Sequence, residues 1–199
     1  MKRDFSMIVI TGGPGAGKTA VLEMAKRGSD CHFAILPESA GIVFGGGFWR
    51  LGSRSGVSAA QRAIYHVQRE LETMIADEGL WSGAICDRGT LDGLAYWPGT
   101  EASYFKAVGS SHAKELARYA AVIHLRTPSL ENGYNHQNRL RIESAEEAAK
   151  IDARIARIWR RHPSYFSIES SGDFNFKAAR ALELIAAQID RLKRGSKRA

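Results

Sequence analysis

With 199 residues and a hydrophobic fraction of 44%, the chain is long enough to bury one sizeable core, and a single domain over 1–199 is expected. Its net charge of +7 and pI near 9.6 would suit nucleic acid, an acidic membrane surface or a phosphorylated small molecule. No aromatic and basic interleaving accompanies that charge, so nucleic acid is disfavoured, and no apolar run approaches the length of a membrane span. The basic start "MKRDFSMIVI" loses its apolar run at Thr11 and Gly12, too early for a secretion signal. Cys31 and Cys86 lie inside apolar runs and read as buried thiols, so a cytoplasmic location is expected.

Short β-rich runs alternate with helical periods, which predicts an α/β fold with a parallel sheet. Ser6–Gly12 reads as a first strand ending in glycines, and Gly17–Arg27 as the helix after it. A second strand is expected at His32–Glu38. From Val57 to about Glu78, Ile64, Val67, Leu71, Met74 and Ile75 fall on one helical face, behind a capping box of Ser58 and Gln61. Gly83–Gly89, Ala120–Thr127 and Tyr165–Ser170 supply three further strands. Ser144 and Glu147 form a second capping box, before a helix carrying Ala148, Ile151, Ile155, Ile158 and Trp159. A closing helix runs from Asp173 to about Lys193, leaving a basic tail at 194–199. Five parallel strands with helical crossovers make a three-layer α/β/α sandwich. In such sheets ligands bind beyond the carboxyl ends of the strands, here Gly12, Glu38, Asp87, Arg126 and Ser170.

The first of these ends carries the strongest motif. Gly12, Gly17, Lys18 and Thr19 fit G-x-x-x-x-G-K-[ST], with Gly13, Pro14, Gly15 and Ala16 between the glycines and Ala20 following. Small residues let backbone N–H groups wrap a phosphate, and the helix that follows adds the positive end of its dipole. Lys18 can then reach the β and γ phosphates, and the Thr19 hydroxyl can ligate Mg²⁺. A P-loop nucleotide site for ATP or GTP follows.

What is done with the phosphate depends on residues elsewhere. A Walker B strand ending in adjacent acids would suit an ATPase, but the third strand ends in "CDRG"; no N-K-x-D run reads a guanine. An Asp–Arg pair suits transfer to a bound acceptor, with Asp87 holding Mg²⁺ or orienting a hydroxyl and Arg88 stabilising charge. Glu38 stands where a general base would face that hydroxyl. A nucleotide-dependent regulatory or binding protein, an ATP or GTP switch or an ATPase, remains the alternative.

The combination "ITGGPGAGKT", "PESAG", "CDRGTLDGLAY" and "RLRIES" resembles the AAA-type P-loop domain shared with the ribosylnicotinamide kinase domain of bifunctional NAD-biosynthesis regulators. These are in turn similar to thymidylate and deoxynucleoside kinases, and the resemblance covers nearly the whole chain from Ile8. It implies a nucleoside- or nucleotide-kinase-like core, Mg-ATP as donor and a nucleoside-like small-molecule acceptor; a homo-oligomer is compatible with it. It also implies a lid at about 128–147, from which Arg139 and Arg141 would fold onto the phosphates, Arg141 fitting the family pattern better. Where the family has an arginine shortly after the "PE" element this chain has Gly41, with Arg50 and Arg54 as substitutes. The same segment, "PESAGIVFGGGFWR", with its glycines 45–47 and the aromatics Phe48 and Trp49, is expected to form a mobile acceptor loop. Ser170–Lys177 would lie beside the adenine.

Overall fold

The computed structural model describes residues 5–28, 33–128, 144–170 and 173–196. Five strands, β1 (Ser6–Thr11), β2 (Phe33–Leu36), β3 (Gly83–Asp87), β4 (Ala121–Leu125) and β5 (Tyr165–Ile168), form one sheet in the order β2-β3-β1-β4-β5. Every neighbouring pair is parallel, with Val9 opposite Cys86 and Val122 across the two sides of β1. Both neighbours of β1 are distant from it in sequence, so the chain diverges at its carboxyl end and opens a crevice there.

Alternation along the strands separates two cores. Met7, Val9, Ala34, Leu36, Ala84, Cys86 and Val122 face one side. They meet α3 (Arg54–Glu78), α4 (Asp92–Tyr96), α5 (Glu101–Val108), the half-buried Leu116 of α6 (His112–Leu116), and α7 (Ala145–Trp159). Ile8, Ile10, Ile85, Ile123 and Leu125 face the other side, against α1 (Lys18–Gly28) and α8 (Phe174–Ser196). Burying a large aliphatic side chain contributes about 1.5–3 kcal/mol, and the period of two places such side chains on both faces of one strand. The three layers expected from the alternating pattern are therefore present.

Several boundaries differ from those expected. β2 stops at Leu36 because Pro37 has no N–H to continue the ladder, and Glu38 becomes the N-terminal flanking residue of a short helix, α2 (Ser39–Gly45). The expected acceptor loop is thus half helical. The long helix α3 begins at Arg54, with Ser53 Oγ accepting a hydrogen bond from Gly56 N; Ser58 and Gln61, expected to cap it, lie inside it. Gly56 is a poor helix former, which hides this first turn from sequence periodicity. α5 and α6, capped by Thr100 and Ser111, are too short to show a period. The Ser144–Glu147 capping box opens α7 as expected, and α8 continues to Ser196. Cys86 is buried, whereas Cys31 lies outside the described residues.

Candidate functional site

The loop from Gly12 to Gly17 joins β1 to α1, and its glycines are required by geometry. Gly12 has φ of 146°, and a Cβ on it would lie 2.1 Å from Leu125 O. Gly17 has φ of 91°, and a Cβ there would meet the Phe174 ring at 2.5 Å. Both positions combine a left-handed backbone with a close approach, so only glycine fits. Lys18 folds back inside the loop, its Nζ donating to Gly12 O at 3.0 Å and Gly13 O at 3.2 Å. Burial, and then the like charge of Arg88, lower its pKa to about 8 against the pull of Asp87, Glu38 and Asp92. Ala16 is buried, while Thr19 and Ala20 are exposed at the start of α1.

Arg88 is the only non-glycine residue with positive φ (72°) among the described residues. Its backbone N–H donates to Ile10 O at 3.0 Å, tying the loop after β3 to β1. Its side chain donates through Nε to Glu38 Oε1 at 2.5 Å, and through Nη1 to Gly12 O at 3.1 Å and Asp92 Oδ2 at 3.2 Å. One guanidinium therefore links the acid after β2, the first glycine of the phosphate loop and α4. Burial works to raise the Glu38 pKa, but Arg88 and Lys18 outweigh it and hold the carboxyl below its usual value.

Asp87 is shifted in the opposite direction. Burial, with Glu38 and Asp92 adding, raises its pKa to about 6 against Lys18 and Arg88. Its Oδ1 is buried without a hydrogen-bond partner among the described residues. A buried carboxylate oxygen without a partner is costly on its own and fits a group supplied by a ligand, such as a hydrated Mg²⁺.

Beside these residues lies a cavity of about 530 Å³, lined by Lys18, Thr19, Glu38 and Arg88. Its remaining wall includes Phe44, Gln61, Tyr65 and Tyr96. Arg50 also lines it, with its guanidinium 4.2 Å from the Phe44 ring centroid, whereas Arg54 does not. Of the aromatics in the two acceptor-side segments, Tyr96 lines the cavity, and Phe48 and Trp49 do not. Trp97 instead donates to Ser103 and packs on Tyr104, and Trp49 is 78% exposed. Arg139 and Arg141, with most of the expected lid, lie outside the described residues.

Of three further residues of this region, Asp92 lies in the "CDRGTLDGLAY" element that carries the resemblance, Lys177 ends the segment expected beside the adenine, and Asp152 escaped sequence reasoning. Asp92 accepts from Thr11 Oγ1 at 2.7 and 2.8 Å, from Trp159 Nε1 at 2.6 Å and from Arg88, and so anchors α4 to the sheet. Asp152, on α7, accepts from Gly13 N at 2.9 Å, from Arg126 Nε at 2.6 Å and faces His124 Nε2 at 2.8 Å. Despite its burial, His124 and these hydrogen bonds lower its pKa to about 2. Lys177 donates to Ala16 O at 2.9 Å and Arg126 O at 2.5 Å, bracing the far side of the phosphate loop from α8. The signal available for Asp152 was an acid interrupting the apolar face of α7 between Ala148 and Ile155. A charge at that spacing needs a buried partner.

The family model described as AAA domain matches residues 7–177. Deoxyadenosine kinase from M. mycoides with bound dATP superposes with a TM-score of 0.62, at 16% identity over 93% of this chain and 99% of that one. Thymidylate kinase from Candida albicans gives 0.64 at 17% identity, over 92% of each chain. The NadR protein in complex with NAD and AMP-PNP gives 0.62 at 12% identity, over 93% of this chain but 49% of that one. At such identities the likeness is one of fold. No curated protein matches the sequence.

Proposed function

The chain belongs to the AAA domain family, and from that premise we propose that it is a kinase transferring the γ-phosphoryl group of ATP, or of GTP, to a hydroxyl of a nucleoside-like small molecule. The observation that carries this reading is that one cavity is lined both by Lys18 and Thr19 of the glycine motif and by the Glu38–Arg88 pair. A hydrolase needs space for a water; a volume of about 530 Å³ holds an organic acceptor. Deoxyadenosine and thymidylate kinases share the fold, which agrees with an acceptor of nucleoside size.

In this reading the backbone of Gly12, Gly13, Pro14, Gly15, Ala16 and Gly17, with Thr19 and Ala20, cradles the donor phosphates. Lys18 exchanges its two loop carbonyls for phosphate oxygens, a replacement that restores solvation to a buried ammonium. Thr19 and Asp87 would hold Mg²⁺, which neutralises charge on the phosphates when bound. Glu38, kept ionised by Arg88, accepts the hydrogen of the acceptor hydroxyl and orients its oxygen toward the donor. Arg88 holds Glu38 against the phosphate loop and stabilises charge at the acceptor side. Arg139 and Arg141 are assigned to the donor phosphates on the family pattern alone. The whole chain acts as one kinase unit, with the lid closing over the cavity to exclude water.

Incubation with γ-labelled ATP and a panel of nucleosides and other small alcohols tests the proposal. Label is expected in a phosphorylated acceptor; label found only in free phosphate, whatever alcohol is offered, would overturn the kinase reading in favour of an ATPase or switch. Lys18→Ala is expected to abolish turnover while leaving the circular dichroism spectrum unchanged, and retained turnover would remove the assigned site.

A further inference from the structure

A second polar cluster, which adjoins the cavity through Tyr65, Gln68 and Thr90, lies between α3, α6 and the loop after β3. Glu72 is 1% exposed and Glu115 fully buried. Arg118 bridges them, donating to Glu72 through Nε and Nη2 and lying 3.6 Å from Glu115. Tyr65 at 2.8 Å, Ser110 and Arg69 complete the shell around Glu115. Two buried carboxylates need such a shell, and apolar residues of equal volume would fill the space at no lower stability. Stability alone is a weak account of the cluster.

Its outward connections are specific. Glu72 Oε1 accepts from Gln68 Nε2 at 2.9 Å, and Gln68 Oε1 accepts from Ser39 Oγ at 2.7 Å, the residue directly after Glu38. Glu72 Oε1 also accepts from Tyr119 OH at 2.8 Å, and the same phenol oxygen accepts from Thr90 N at 2.9 Å. Thr90 Oγ1 donates to Glu115 Oε2 at 2.7 Å, and Thr90 O accepts from Tyr104 OH at 2.7 Å. All three polar groups of Thr90 are thus engaged, two residues after the left-handed Arg88. A residue in that conformation persists only where its surroundings over-determine it.

We propose that the Glu72–Arg118–Glu115 cluster is a positioning device: through Gln68 and Ser39 on one side, and Tyr119 and Thr90 on the other, it fixes the two loops on which Glu38 and Arg88 meet. Its catalytic consequence rests on the kinase reading. The geometry it maintains, the Arg88 Nε–H bond to Glu38, can be observed without any acceptor.

The test follows the Arg88 side-chain Nε–H by ¹⁵N NMR in the full chain, with the signal assigned through its loss in Arg88→Lys. Thr90→Val, which removes the hydroxyl and keeps the shape, is expected to speed solvent exchange of that proton by about tenfold or more, and to lower kcat by about tenfold with little change in the KM for ATP. Thr90→Ser, which keeps the hydroxyl, is expected to restore both. A folded Thr90→Val protein with wild-type exchange, or a Thr90→Ser protein as impaired as Thr90→Val, would overturn the proposal. Should Thr90→Val not fold, Tyr119→Phe removes the hydroxyl that joins Glu72 to Thr90. An increase in exchange of about threefold or more supports the proposal there, and an unchanged rate overturns it. If the wild-type protein phosphorylates no acceptor, the kinase reading fails while the exchange rates still decide the role of the cluster.

Discussion

Asp87 and Glu38 carry the same functional group, and both lie within electrostatic reach of Lys18, yet their pKa values move apart. The difference is Arg88, which donates directly to Glu38 and leaves the buried Oδ1 of Asp87 without a partner. Glu38 is therefore ionised through the neutral range, while Asp87 takes up a proton near pH 6. An Asp whose folded pKa is raised contributes stability that is fully present below the unfolded value and is lost as pH rises through the folded one. The Asp87→Asn protein is accordingly expected to exceed the wild type in stability at pH 8 by on the order of 2 kcal/mol, with the gap closing toward pH 4. Urea titrations across that range check it. On the proposed role of Asp87 in holding Mg²⁺, turnover is expected to fall strongly in Asp87→Asn, because the substitution removes the charge that offsets the cation; steady-state assays with Mg-ATP check it.

At the scale of elements, the site depends on where helices begin. The cap of α3 at Ser53 sets the first turn beside Arg50 and Leu51, two residues of the cavity wall, while Ser58 sits within the helix. Ser53→Ala is expected to lower unfolding stability by about 1 kcal/mol, whereas Ser58→Ala is expected to leave it unchanged or slightly raised. Thermal or denaturant unfolding of the two variants separates the observed cap from the one that periodicity suggests. α2 shows a similar dependence on local chemistry: Pro37 ends β2, the chain turns at Glu38, and Ser39 begins a helix whose first residue is held by Gln68 of α3. Glu38 owes its place to a strand that stops early.

Across the whole molecule, Asp152 joins parts of the chain that are far apart in sequence. From α7 it reaches Gly13 of the phosphate loop, His124 of β4 and Arg126 beyond that strand. Its folded pKa is depressed to about 2, so its contribution is present above the unfolded value near 3.8 and is lost as pH falls through about 2. Asp152→Ala leaves Arg126 and His124 without their shared acceptor. A loss of about 3 kcal/mol at pH 7 is expected, diminishing toward pH 2, together with weaker nucleotide binding because the phosphate loop loses its tether to α7. Urea unfolding and equilibrium dialysis with ATP measure the two effects.

The amino-acid order by itself determined the parts of this protein that depend on neighbours along the chain. Short β-rich runs located all five strands, the 3.6-residue period located α3, α7 and α8, and α1 was placed directly after the glycines that end the first strand. The spacing of Gly12, Gly17, Lys18 and Thr19 located the phosphate loop, because backbone curvature there is a local demand for glycine. The short helices α2, α5 and α6 escaped because one or two turns carry no period, and Gly56 masked the first turn of α3. Tertiary structure alone decided that Arg88 binds Glu38, Gly12 and Asp92 together, that Asp152 caps Gly13, and that Gln68 is engaged by Ser39 and Glu72 while Gln61 lines the cavity. Each of these contacts joins residues brought close by the parallel order β2-β3-β1-β4-β5, apart from the short loop between Arg88 and Asp92 and the helical turn between Gln68 and Glu72. Hydrogen bonds and charge pairs act over about 3 Å, so which donor meets which acceptor is set by that packing rather than by position along the chain.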